Sequence, residues 1–115
     1  MLYVLESPEL KELGVHRCKV GISETHHSMT RRMCNHRTGS PVYIDVIWLC
    51  EEAGYDEEQQ VLEAMIDFRR RKSEWLEVPA AEVIQFIELT LSLVGVGQDV
   101  VDQYNKKTRG KDHER

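Results

Sequence analysis

The chain has 115 residues, which suits one domain and leaves little room for a second hydrophobic core. A hydrophobic fraction of 41% and a charged fraction of 30% exclude a disordered chain and a fibrous one. The most apolar stretch, residues 86–96, is interrupted by polar side chains and is far shorter than the roughly 20 residues that cross a bilayer. We therefore expect no membrane span. No leader-like segment precedes the first apolar residues, so we expect a cytoplasmic protein.

The net charge of -5 is unevenly distributed. Residues 16–37 contain five arginines and lysines against a single acid, which gives the segment a charge of about +4. Residues 51–67 contain seven acids and no base. The basic segment is therefore a candidate surface for a polyanion, even though the whole chain is acidic.

Cys18, Cys34 and Cys50 form no C-x-x-C pair, so we expect reduced, mostly buried thiols. Cys34 and His36 are two positions apart. On a helix this spacing points them about 200° from each other, too far apart to ligate one zinc ion.

The first two predicted elements are strands. Residues 2–5 are apolar and β-prone, which predicts a short first strand. Residues 15–22 alternate loosely and predict a second strand, paired antiparallel with the first. Gly21, inside this second strand, indicates a close approach to the backbone.

A short helix and a third strand follow. Residues 28–37 predict the helix, with Ser28 as its N-cap and Gly39 just beyond its end. Residues 42–50 are apolar on both faces, which predicts a strand in the centre of the sheet. Its two faces would be Val42, Ile44, Val46, Trp48 and Cys50 on one side, and Ile47 and Leu49 on the other.

The second half is predicted to be mostly helical. The apolar spacing of residues 56–71 predicts a helix capped by Asp56. Residues 75–78 predict an edge strand, and residues 80–94 an amphipathic helix. Residues 98–104 add two more helical turns. The order β-β-α-β-α-β-α predicts a small α+β domain with a mostly antiparallel sheet flanked by helices.

Glu58 falls in the middle of the apolar arc of the helix predicted for residues 56–71. A carboxylate on a buried face requires a partner. The alternative is that Glu58 is partly wet and interacts with the positive N-terminus of its helix. Glu57 and Glu63 point away from the arc and are expected to be solvated.

Arg32 and His36 are four positions apart, so they share one face of the short helix. A guanidinium suits a phosphate, and an imidazole beside it can transfer a proton near neutral pH. The alternative is a solvated basic face without a ligand. Arg31, Arg37 and the basic run at residues 69–72 would attract phosphate generally or be plain surface.

Five segments in order carry a resemblance: "YVL", "KVGIS", "RMCNHRTGSP", "EQQVL" and "SEWLEV". Together they resemble the GIY-YIG nuclease superfamily. The lysine of the second motif, the "TGSP" turn and the "EW" dipeptide resemble more closely its phage open-reading-frame branch, also described from meiotically up-regulated genes. The resemblance covers about residues 2–78.

The resemblance implies hydrolysis of phosphodiester bonds in DNA with one divalent ion, Mg²⁺ or Mn²⁺. It places four catalytic residues: Tyr3, Arg32, His36 and Glu58, of which Glu58 holds the metal. Lys19 stands where many superfamily members carry a second tyrosine. The expected phosphate contacts are Lys19, Arg31 and Arg37. No asparagine follows "SEWLEV" where several restriction-type members use one, and Asn105 is too far along the chain.

These observations predict a nuclease domain at residues 1–78, a helical extension at 79–104 packed on the same domain, and a charged, disordered tail at 105–115. Three functions stay open: a DNA endonuclease, a module that binds nucleic acid or another phosphorylated ligand without cutting, and an interaction protein. The last would form a homodimer through surplus apolar residues of the C-terminal helices: Leu89, Leu93, Val96, Val100 and Val101.

Overall fold

Four strands form one antiparallel sheet: β1 (Leu2–Glu6), β2 (Cys18–Ile22), β3 (Asp45–Cys50) and β4 (Trp75–Leu76). Their order across the sheet is β3-β1-β2-β4. The computed structural model describes residues 1–39, 44–69 and 75–113, without the side chains at positions 27, 36–39 and 108–113. The predicted α+β class with an antiparallel sheet is confirmed.

Helices cover both faces of the sheet. We call the side covered by α2 (His26–Gly39) and α5 (Gln98–His113) the α2 face. We call the side covered by α3 (Tyr55–Ala64) and α4 (Ala80–Thr90) the α3 face. Because successive strand side chains alternate, β1 contributes to both cores and is buried along its whole length.

Each face has its own hydrophobic core. The core of the α2 face comprises Tyr3, Leu5, Met29, Met33, Ile44, Val46, Leu49 and Val101. The larger core of the α3 face includes Leu2, Val4, Cys18, Val20, Trp48, Cys50, Val61, Leu62, Leu76, Val83 and Ile87. The short helix α1 (Pro8–Glu12) connects β1 to β2, and Ser7 caps it by accepting a hydrogen bond from the Leu10 amide.

The expectation that the third strand is central is wrong, because β3 lies at an edge of the sheet. The C-terminal segment covers this edge: the Val96 amide donates to the Leu49 carbonyl at 2.7 Å. The Asn105 side chain pairs with Val46, accepting from its amide and donating to its carbonyl, both at 2.9 Å. An edge strand sealed in this way can be as apolar as a central one.

The predicted division of side chains along β3 also requires correction. The pairing with β1 shifts register between Val4 and Leu5, opposite Trp48 and Val46. The extra residue reverses the alternation. Val46 therefore faces the α2 core while Trp48 and Cys50 face the α3 core. Val42, assigned to the same strand, lies outside the described residues.

The helix at residues 28–37 begins earlier than expected, at His26. Thr25 rather than Ser28 caps it, because the Thr25 hydroxyl accepts from the Ser28 amide and the Ser28 hydroxyl accepts from the Thr25 amide, each at 3.0 Å. This reciprocal pair satisfies amides at the start of the helix. At the other end, Gly39 belongs to the helix.

Two later helices are shorter than their periodicity predicts. Helix α3 ends at Ala64; a 3₁₀ turn (Ile66–Phe68) follows, and Arg69 then bridges to Leu76. Residues 70–71, predicted as helical, lie outside the described residues. Helix α4 ends at Thr90, before Ser92 adopts a left-handed φ of 56°.

Helix α5 is longer than expected, since it continues past Tyr104 to His113, through most of the segment predicted as a tail. Among the described residues, no helix has the length and apolarity that crossing a bilayer requires. The apolar surplus assigned to self-association is partly used inside the chain: Val101 is buried, and Leu93 and Val96 pack on the two cores. Leu89 and Val94 stay exposed. A homodimer is therefore not supported.

Candidate active site

Tyr3 lies on β1, directly opposite Gly21 of β2. Its ring rests on the glycine so closely that a Cβ at position 21 would overlap the phenol hydroxyl and ring. Tyr3 is 1% exposed. The glycine is required because any side chain there would displace the tyrosine, and this is the close approach that the sequence indicated.

Lys19 lies two residues before Gly21, so it is on the α2 face with Tyr3, while Cys18 and Val20 enter the opposite core. It is half-buried and lies in register with Leu5 and Trp75 on the two neighbouring strands. The structure thus brings Tyr3 and Lys19 to the same face of adjacent strands.

Helix α2 covers this face through its buried Met29 and Met33. Arg32 is exposed and lies about 60° from Met29 around the helix axis, at the flank of the buried stripe. Arg31 is also exposed. His36 and Arg37 belong to α2, but their side chains lie outside what the structure describes.

Glu58 lies near the start of α3, which packs on the opposite face of the sheet from α2. It is half-buried, and its Oε1 accepts a hydrogen bond from Gln59 Nε2 at 3.2 Å. Its neighbour Glu57 is not merely solvated as expected. It is half-buried and accepts a hydrogen bond from the Gly54 amide at 3.0 Å, which closes the N-terminus of the helix.

The helices that carry Arg32 and Glu58 nevertheless begin at one end of the sheet. Leu2 pairs with both Ile22 and Cys50, the residues that end β2 and β3. Helix α2 follows the first of these strands and α3 follows the second. Tyr3 and Gly21 lie one residue inside this end. The sequence predicts that the site residues converge on one concave face of the sheet, but α2 and α3 pack on opposite faces. A site that joins all of them would therefore have to form at this shared end.

The basic segment is partly neutralised by acids from elsewhere in the chain. Arg17 Nη2 lies 3.7 Å from Glu77 Oε1. His26 Nε2 lies 3.3 Å from Glu51 Oε1. Among the side chains of α2 that the structure describes, the exposed guanidinium groups are those of Arg31 and Arg32. These two arginines therefore carry positive charge on the exposed side of that helix.

Glu6 is a buried polar residue that sequence reasoning missed. It is 5% exposed, and its Oε2 accepts a hydrogen bond from the Ala80 amide at 3.0 Å. A carboxylate there stabilises the positive N-terminus of α4. Burial, with the Glu6 charge in addition, raises the pKa of the Cys18 thiol to about 12. The sequence contained one signal for this role, because Glu6 directly follows the apolar residues of the first strand and continues their alternation.

Asn105 has a structural role in the described conformation, since its amide group is engaged by the Val46 backbone. Among the described residues, no group of three His, Cys, Asp or Glu side chains could together hold a metal. A single half-buried carboxylate such as Glu58 still fits Mg²⁺, because this hard cation commonly keeps several waters and takes few protein ligands.

The antiparallel sheet, covered on both faces, with an aromatic and a lysine under a basic helix, is the architecture of a small nuclease-like α+β domain. A family model described as the T5orf172 domain matches residues 1–91. The chain therefore belongs to the T5orf172 domain family, which is related to phage nucleases. The match reaches past residue 78, to the end of α4, and excludes α5. Searches of curated proteins and of solved structures found no significant match.

Proposed function

We propose that this protein is a metal-dependent DNA endonuclease of the GIY-YIG type, which hydrolyses phosphodiester bonds with one Mg²⁺ or Mn²⁺. The observation that carries the proposal is the Tyr3 ring resting on Gly21, on the face that the arginine-bearing helix α2 covers. Membership of the T5orf172 domain family supports it.

Each residue has a role in this proposal. Arg32 is exposed on α2 and would neutralise the charge that builds on the phosphate in the transition state. Lys19, Arg31 and Arg37 would contact neighbouring phosphates. Tyr3, with His36, would orient or deprotonate the attacking water. Glu58 would hold the metal ion, which supplies positive charge beside the scissile phosphate.

One observation favours a second candidate, a module that binds nucleic acid without cutting it. Tyr3 is 1% exposed, which is typical of a residue that packs in a core. A tyrosine that packs on glycine also stabilises the sheet. Lys19 in place of a second tyrosine favours the same candidate, because an ammonium binds phosphate but is a poor base at neutral pH.

The deciding experiment is a cleavage assay on supercoiled plasmid and branched DNA, with Mg²⁺, Mn²⁺ or EDTA. We expect the wild type to cut only with a metal. Glu58→Gln should lower the rate at least about 100-fold while DNA binding and folding are kept, because glutamine preserves the size but removes the carboxylate. The matched control is Glu63→Gln on the exposed side of the same helix, which should cut like the wild type.

Arg32→Ala should lose both cleavage and part of the DNA affinity, since a guanidinium binds phosphate before and during the reaction. Arg17→Ala is its control, because Arg17 pairs with Glu77 and has no assigned role. A Glu58→Gln variant that cuts like the wild type would show the metal assignment to be wrong. A wild type that binds DNA but cuts none of these substrates would establish the binding module instead.

A further inference from the structure

A groove of about 670 Å³ separates α2 from α5. Its walls are Arg31 and Asn35 on α2, and Gln103 and Lys107 on α5. Thr30, Cys34 and Val100 also line it. Helix α5 lies outside the family match at residues 1–91, so one wall of the groove lies beyond the part of the chain that the family model covers.

The walls of the groove repeat one chemical pattern. Arg31 and Asn35 are one helical turn apart, and so are Gln103 and Lys107. Each wall therefore presents one cation and one amide, and no acid is among the described residues that line the groove. Cations on two sides suit a phosphate, while amides can donate to and accept from sugars and base edges.

One part of the groove is fixed by a contact between its walls. The rings of His26 and Tyr104 stack with centroids 5.6 Å apart. His26 Nδ1 also shares a short hydrogen bond with the Tyr104 hydroxyl, and Glu51 lies beside the other ring nitrogen. Burial and the nearby Glu51 raise the pKa of Tyr104. A tyrosine phenol is uncharged near neutral pH even without this shift, so Tyr104 does not repel an anion.

We infer that the groove between α2 and α5 binds the phosphate backbone of a DNA strand, as a second contact beside the proposed catalytic face. The identification of the bound strand as DNA rests on the proposed function. Arg31 and Arg32 are adjacent in the chain and about 100° apart around α2. A strand whose phosphate contacts Arg32 can therefore continue around the helix to Arg31 and the groove.

Binding is measured in EDTA, by fluorescence anisotropy of labelled oligonucleotides, so that the result does not depend on cleavage. Lys107→Gln should weaken DNA binding roughly 3- to 10-fold and reduce the salt slope by about one. Lys106→Gln is the matched control, since Lys106 is exposed and does not line the groove. It should bind like the wild type.

Cys34 lines the groove and is half-buried, whereas Cys18 and Cys50 are buried. Bound oligonucleotide should therefore slow alkylation of Cys34 in the wild type. Inorganic phosphate and a mononucleotide at equal phosphate concentration are the comparison arms. If a mononucleotide protects Cys34 and the oligonucleotide does not, the inference of a DNA strand is wrong and the groove binds a free nucleotide.

The inference and the proposed function fail separately. In one outcome the wild type cuts DNA, but Lys107→Gln binds DNA normally and Cys34 is not protected. This outcome would overturn the inferred binding of DNA in the groove and leave the proposed nuclease activity intact. In the other outcome the wild type never cuts DNA, but Lys107→Gln weakens DNA binding and Cys34 is protected. This outcome would support the groove as a binding site and show the catalytic proposal to be wrong.

Discussion

Tyr3 and Gly21 form a matched pair across β1 and β2, and this pair makes a prediction at the scale of one atom. In Gly21→Ala the new Cβ would overlap the Tyr3 hydroxyl and ring, and because the ring is buried in a core, it can move only by displacing its neighbours. We expect a loss of about 1–3 kcal/mol in the free energy of unfolding. Urea denaturation followed by tryptophan fluorescence measures it.

A double-mutant cycle isolates the cause. In a Tyr3→Leu background, Gly21→Ala should have a much smaller effect, because the overlapping atoms are absent. Equal losses in both backgrounds would show that Gly21 is required by its own backbone and not by the tyrosine. Since the same ring is proposed to work on water, a displaced ring should also lower any cleavage rate.

Cys18 makes a second prediction at this scale, in pH. Its pKa rises from 9.0 to about 12 in the folded chain, because of burial first and of the Glu6 charge second. Above pH 9 the unfolded chain releases the thiol proton while the folded chain retains it. This contribution to stability is therefore complete below pH 9 and is lost as pH rises toward 12.

Urea unfolding between pH 8 and 11 measures this loss. Wild-type stability should fall more steeply with pH than that of Cys18→Ala, by up to about 1.4 kcal/mol per pH unit. Other groups titrate equally in both proteins, so the difference in slope belongs to Cys18. Parallel slopes would contradict the assignment.

At the scale of elements, the Asn105 side chain makes the hydrogen bonds to β3 that a neighbouring strand would otherwise make. Its amide pairs with both backbone groups of Val46, on the outer edge of β3. Asn105→Ala should lower the free energy of unfolding by about 1–3 kcal/mol, because two edge groups lose their partner. Lys106→Ala is the control, since that residue is exposed. Thermal denaturation compares the two variants, and equal melting temperatures would show that α5 docks without this pair.

The sequence was enough to predict which side chains of β1 and β2 share a face of the sheet, because the alternation along a strand is a local property. The edge position of β3 could not be predicted in this way, because residues more than 45 positions later seal that edge. The bulge in β3 was equally inaccessible, since it arises from pairing with β1. The ends of α3 and α4 were overestimated, because apolar spacing continues into segments whose side chains stay exposed, such as Phe68 and Val94.

At the scale of the molecule, the net charge of -5 conceals two unlike surfaces. Most acids of residues 51–67 lie before and along α3, and Asp67 lies in the 3₁₀ turn after it, while Arg31 and Arg32 are exposed on α2, across the sheet. Local charge was enough to predict the basic segment, whereas Tyr3 and Lys19 were predicted as site residues from the family resemblance, and their roles stay predictions. Sequence reasoning missed the groove, because its two walls are about 70 residues apart in the chain and meet only in the fold.

Helix α5 has two contacts at once: Asn105 holds the edge of β3, and its close neighbours Gln103 and Lys107 form a wall of the groove. Any ligand that binds the groove only while α5 is docked must, by thermodynamic linkage, favour the docked helix. The Val46 amide then becomes a reporter whose hydrogen exchange slows as the groove fills. The β3 edge would then be uncovered less often, so the resistance of the protein to edge-to-edge aggregation would rise with the same occupancy.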